Sequence, residues 1–153
     1  MSEKIKIISK NKKAFFNYEI IDNFEAGIVL QGSEVKAIRD GRINIKDSYV
    51  IISQGEAFLL NAHINPYQFA TYDRPDPTRK RKLLLHKKEI DKLAGKLQTK
   101  GLSLIPLKIY FKNGKIKLEI GLGKGKKKYD KRSVLKERDI KREMEREIKD
   151  NRS

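Results

Sequence analysis

The densest chemistry in this chain is cationic. Arg79-Lys80-Arg81-Lys82 sets four bases in a row, and Lys124-Gly125-Lys126-Lys127-Lys128 sets four more around one glycine. Such runs suit phosphate oxygens, because neutralising a phosphate releases its condensed counterions. The stretch Gly121-Leu122-Gly123-Lys124-Gly125-Lys126 would let a backbone approach phosphates closely. It matches neither GxxxxGK[ST] nor a GxGxxG that opens an amphipathic helix, so it reads as a flexible exit from a strand. Glu25, Glu34, Asp40 and Asp47 lie nearest to glycine-containing turns. Their spacing is not that of a carboxylate pair holding Mg²⁺, and turn capping or salt bridging accounts for them. The two histidines are His63 and His86, and cysteine is absent. That removes Cys-ligated and multi-His metal sites, thiol nucleophiles and disulfides, and it fits a reducing cytoplasm. No Ser/His/Asp or Cys/His constellation is visible. The expectation is a binding protein with no catalytic residue, no metal and no cofactor. Tyr67, Tyr72 and Tyr129 lie in poorly packed segments and are the aromatics best suited to stacking on unpaired bases.

These groups need a scaffold, and the apolar pattern supplies one. Over residues 107–122, Leu107, Ile109 and Phe111 alternate with Lys108, Tyr110 and Lys112; Asn113-Gly114 follows; then Ile116, Leu118, Ile120 and Leu122 continue the alternation. This predicts a β-hairpin with one buried face and a type I′ turn. Residues 18–24, 48–53 and 56–64 read as further strands, with 27–30 as a short one and Gln54-Gly55 as a turn. In residues 85–97, Ile90, Leu93, Ala94 and Leu97 recur at helical spacing, with Lys88 and Lys92 opposite and Gly101 beyond as a stop. A shorter helix is predicted over 33–39, with Val35 and Ile38 inward and Gly41 closing it. Short strands with inserted helices imply a mainly β chain: an OB-like small barrel that removes its own sheet edges. Residues 65–78 have no periodicity, contain Pro66, Pro75 and Pro77, and read as a long exposed loop.

Charge divides the chain. The 153 residues carry 36 Lys+Arg against 20 Asp+Glu, a net charge of +16, with 38% hydrophobic residues. Residues 14–73 hold four bases and eight acids, whereas 74–100 hold ten bases and three acids and 124–153 thirteen and seven. A mildly acidic stretch of core is thus flanked by cationic segments, and a polyanionic partner follows. No apolar run approaches membrane-spanning length and the N-terminus lacks a signal-peptide core, so a soluble cytoplasmic protein is expected. Two regions are predicted: a barrel over 1–125 and a basic tail over 126–153. In the tail, Ile140, Met144 and Ile148 form one thin apolar line, too narrow to anchor a helix on a core. The tail is expected to be disordered when free and helical when bound.

Several blocks together resemble a known family. Asn11-Lys12-Lys13-Ala14, the run from Phe24 to Lys36, Lys46-Asp47-Ser48-Tyr49, the run from Asp76 to His86, and the run from Gly123 to Arg132 closely resemble the bacterial SsrA-binding (SmpB) family. The resemblance implies an OB-like barrel with about three short helices. It implies binding to the tRNA-like domain of transfer-messenger RNA and delivery of that RNA to stalled ribosomes, beside alanyl-tRNA synthetase and elongation factor Tu, with no reaction catalysed. It implies RNA contacts at Asn11, Glu25 and Leu84 and at the basic Arg79, Arg81 and Lys82, with Lys12, Lys124 and Lys126 in its basic blocks. Asn11 could pair with a base edge, and Glu25 could accept from a base amino group or a 2′-hydroxyl. The family's tail motif falls on Asp130-Lys131-Arg132, preceded by Tyr129 where some members carry histidine, and this tail is implied to enter the vacant mRNA channel near the decoding centre and small-subunit RNA. Ile140 stands where some members have tryptophan. A structural ribosome-associated barrel and a metal-dependent nuclease are the other classes such a composition admits. On this reading, loss of Arg81 or Lys82 should each remove a phosphate contact.

Overall fold

The computed structural model describes residues 4–65, 75–99 and 101–126. Strand β1 (Ile5–Lys10) leads into helix α1 (Lys12–Asn17), strand β2 (Tyr18–Ile28) and helix α2 (Gly32–Arg39). Short strands β3 (Ile43–Asn44), β4 (Tyr49–Ser53), β5 (Glu56–Leu60), β6 (His63–Ile64) and β7 (Arg81–Leu84) follow. Helix α3 (Lys87–Lys96) then precedes the long hairpin of β8 (Leu102–Lys112) and β9 (Lys115–Gly125). Going round the sheet, β8, β4, β5, β7, β2 and β9 pair in turn, and β9 pairs back to β8. Every pairing is antiparallel, so six strands close a barrel, with β1 added along the outer half of β8. The shortest seam is β4 against β8, where Val50 meets Leu104. β3 and β6 form a separate two-stranded piece.

The interior follows from alternation. Phe24 and Ala26 from β2, Val50 from β4, Ala57 and Leu59 from β5, Leu83 from β7 and Leu118, Ile120 and Leu122 from β9 fill one core. Ile38 of α2 and Leu93 of α3 close it. Both helices lie where predicted, and Lys88 and Lys92 face outward. In α2, Ile38 is buried as expected, but Ala37, Ser33 and Glu34 are its buried companions and Val35 is only partly covered. Asn113-Gly114 adopts the predicted type I′ left-handed backbone (φ 52° and 80°), and the turn expected at Gln54-Gly55 is left-handed too (φ 51° and 74°).

Five expectations need correction. Residues 18–24 and Gly27-Ile28 are one strand, with Val29 and Leu30 beyond its end, because Glu25 and Gly27 take the outer face while Ala26 keeps the inward alternation. Residues 56–64 are two strands, divided at Asn61, whose φ is 63°. The hairpin starts at Leu102, and its apolar residues do not share one face. The register of β8 against β9 shifts between Pro106 and Lys108. Beyond this bulge the alternation changes phase: Ile109 enters the barrel core, while Ile105 and Leu107 pack outside it with Ala14 of α1. The glycine-rich stretch is strand, not flexible exit, over Gly121 to Gly125. A Cβ on Gly121 would stand 2.8 Å from Leu107 Cδ1, and one on Gly123 would stand 2.9 Å from Ile105 Cδ1. These glycines make room for the outer apolar cluster. Finally, β1, α1 and β7 were not foreseen. β7 hides in the basic quartet, where Arg81 and Leu83 point inward and Lys82 and Leu84 outward.

Candidate nucleic-acid interface

The outward residues of β7, β2 and β9 form a strip. Leu84 stands opposite Gly27, which stands opposite Lys117. Leu84 is 54% exposed, beyond what a core leucine would be. A Cβ on Gly27 would lie 3.3 Å from Leu84 Cβ, so the missing side chain lets Leu84 lie flat on β2. Lys82 precedes Leu84 on the same face, its side chain 47% exposed and 3.4 Å from Glu56. Glu25 lies two residues before Gly27. Its carboxylate accepts from the Tyr110 hydroxyl and pairs with Lys112 at 3.2 Å. The Tyr110 hydroxyl, helped by Lys112 and Lys117, holds the Glu25 carboxyl below the usual carboxylate range against the opposing effect of burial. Directly across on β9, Glu119 is held by Lys108 at 3.1 Å and by Asn23 at 2.8 Å. The strip therefore combines an exposed apolar patch, one oriented carboxylate and flanking lysines. That suits an RNA surface with bases and riboses to contact as well as phosphates to neutralise.

The other residues named from the sequence lie elsewhere. Asn11 is 2% exposed. Its amide donates to the carbonyls of Ile45 (3.2 Å) and Pro106 (2.9 Å), and its oxygen accepts from Ala14 N, capping α1. Both donors are spent inside the fold, so as folded Asn11 has no amide hydrogen to offer a base edge; it positions α1. Lys12 is exposed on that helix. Lys124 is exposed near the end of β9, and Lys126 N donates to Asn17 O at 2.9 Å. Asn11, Lys12, Lys124 and Lys126 thus gather where the chain leaves the barrel. Tyr18 faces Gly125 at this end of β2 and Gly27 faces Leu84 at the other. Nine residue steps along β2, with a bulge between Ile20 and Asp22, separate the two groups by at most roughly 30 Å.

Arg81 is the principal correction. It is fully buried, as is Glu34 of α2. Arg81 Nε and Nη2 both lie 2.7 Å from Glu34 Oε2, and Nη1 donates to Ala62 O at 2.8 Å. A further bond from Nη2 reaches Pro77 O at 3.0 Å. Arg79 also binds Glu34, and its side chain is 25% exposed. Burial pushes the Glu34 carboxyl up, but Arg79, the Gln31 amide and Arg81 outweigh it and hold the group low. Burial likewise lowers the Arg81 guanidinium, opposed by Glu34. This buried cluster ties α2 to β7 and to the end of the 65–78 segment. Arg81 has no surface to give a phosphate; it positions the strand that shows Lys82 and Leu84. The alternation Arg81/Leu83 against Lys82/Leu84 is the signal by which this could have been read in the sequence.

His86 begins α3, its N–H bonded to Glu89 at 3.1 Å, and His63 is exposed on β6. Asp47 pairs with Lys13 at 3.1 Å. Among the described residues, no group of three or more His, Asp or Glu side chains could hold a metal ion. Tyr67, Tyr72, Tyr129, Asp130, Lys131 and Arg132, most of the 65–78 segment and almost all of the 126–153 tail lie outside the described residues. No helix among the described residues is long and apolar enough to cross a membrane.

Fold and surface define a class: a small OB-like β-barrel with a cation-flanked apolar strip on its outer face. Residues 8–150 match the family described as SmpB protein. The SsrA-binding protein of Sulfurihydrogenibium sp. (strain YO3AOP1) is 59% identical over 149 residues, covering 97% of each chain. That of Persephonella marina (strain DSM 14350 / EX-H1) is 59% identical over 145 residues, covering 95% of each. A chain in the solved structure "tmRNA-SmpB: a journey to the center of the bacterial ribosome" is 44% identical, with a TM-score of 0.66, covering 83% of this chain and 93% of that one. The chain belongs to the SmpB family.

Proposed function

We propose that this protein binds the tRNA-like domain of transfer-messenger RNA and carries it to stalled ribosomes, as the adaptor of trans-translation. The observation that supports this most directly is 59% identity to an SsrA-binding protein over 97% of both chains. The exposed strip of Glu25, Lys82 and Leu84 is physically suited to the task. Lysines supply salt-sensitive attraction, while the carboxylate and leucine need a particular RNA shape before they contribute. The partners are transfer-messenger RNA and the ribosome, with alanyl-tRNA synthetase and elongation factor Tu meeting the protein through the RNA. The site of action is the cytoplasm, and the protein acts by binding rather than by catalysis. Lys12, Lys124 and Lys126 mark a second cationic patch, where the barrel hands over to residues 127–153. That tail, with Tyr129 and Asp130-Lys131-Arg132, is the part proposed to probe the vacant mRNA channel beside the decoding centre and to become helical there.

The test is a gel shift against the tRNA-like fragment of transfer-messenger RNA with ordinary tRNA as competitor. Saturable binding that survives excess competitor supports the reading. Equal affinity for both RNAs at physiological salt sinks it. Retention on ribosomes without that RNA would point to a structural barrel, and divalent-ion-dependent cleavage of the RNA to a nuclease.

A further inference from the structure

We propose that Tyr110 is a positioning residue for RNA selectivity, acting through Glu25; the inference rests on the functional reading above. A carboxylate on a surface that meets RNA is repelled by phosphates, so it contributes only through directed hydrogen bonds to N–H or hydroxyl donors. A loose glutamate would also lose rotamer entropy on forming them. Tyr110 removes that cost beforehand. Tyr110 is 4% exposed, held in β8, and its hydroxyl donates to Glu25 Oε2. Lys112, two residues along the same strand, reaches both oxygens at 3.3 and 3.2 Å. An amine on a flexible stem orients less strictly than a phenol on a buried ring.

The surroundings support the assignment. Glu119 is the carboxylate opposite, and Lys108 and Asn23 hold it, whereas Glu25 is oriented by a phenol. A groove of about 340 Å³ opens beside Glu25, with Ile5, Phe24 and Tyr110 in its wall. It is large enough for one base or ribose that brings donors to the carboxylate. The Glu25 side chain is 37% exposed, so water can replace the phenol when the hydroxyl is removed. Tyr110→Phe therefore keeps the packed ring and leaves no orphaned buried donor. The variant separates orientation from folding.

The experiment compares wild type, Tyr110→Phe, Glu25→Gln and the double variant. It measures affinity for the tRNA-like RNA fragment and for ordinary tRNA, with thermal melting as the folding control. Tyr110→Phe is expected to melt like wild type and to lower the ratio of the two affinities by roughly tenfold. In the Glu25→Gln background the same change is expected to cost nothing further. A second readout is the NMR titration of the Glu25 carboxyl. The groups facing it are Tyr110, Lys112 and Lys117, which favour its charged form, and Glu119 across the ladder. Without the phenol the carboxyl should protonate at higher pH. An unchanged affinity ratio in Tyr110→Phe overturns the inference while the functional reading stands, as does an equal loss in both backgrounds. A wild type with no preference between the RNAs overturns both.

Discussion

At Lys82 a half-exposed ammonium rests 3.4 Å from Glu56 in a surface pair of little strength. Breaking that pair costs the fold almost nothing, so Lys82→Ala should act on RNA alone. Binding is expected to weaken and the slope of log affinity against log salt to fall by about one unit, measured by titration at several ionic strengths. Its neighbour Arg81 should behave in the opposite way. With its guanidinium fully buried against Glu34, Arg81→Met leaves a buried carboxylate short of a partner. Urea unfolding should show a loss of about 3–5 kcal/mol. The salt slope of whatever protein remains folded should be unchanged. Two adjacent bases, indistinguishable in charge, thus divide into an exposed lysine proposed to meet RNA and an internal brace.

Among the elements, β9 and α2 carry the sharpest consequences. Gly121 faces the side chain of Leu107, which is itself fully buried and cannot swing aside freely. Gly121→Ala should cost about 1–3 kcal/mol, read as a lowered melting temperature. Gly125, on the same strand with nothing within 4 Å of an added Cβ, is the internal control and should tolerate alanine. In α2, Glu34 sits below its ordinary pKa of 4.5 in the folded chain. A depressed carboxylate adds stability above its unfolded pKa and loses it as pH falls through the folded one. Thermal stability should therefore decline as pH drops below about 4.5, and α2 and β7 should lose amide protection together because Glu34, Arg79 and Arg81 join them. Uniform loss across the barrel would argue against a local brace.

For the molecule as a whole, the two cationic groups lie at opposite ends of β2. Removal of residues 130–153 should leave affinity for the tRNA-like RNA nearly intact and abolish peptide tagging on stalled ribosomes. Equal loss of both would end the proposed division of labour. The class of fold, the hairpin at Asn113-Gly114, helices α2 and α3, the family and the cationic character could all be read from the chain, because each rests on local periodicity, turn chemistry or block similarity. β1 and α1 could not: Ile5 and Ile7 stay exposed on an added strand, and α1 is six residues held by the Asn11 cap. The phase change at Leu107 was equally hidden, since a bulge depends on what packs on each face. Which bases face outward was decided only by tertiary packing. Arg81 turns inward because Glu34, 47 residues away, meets it there, and Asn11 is taken up by the carbonyls of Ile45 and Pro106. A charge is written in the sequence. Its partner across the barrel exists only after the strands have closed.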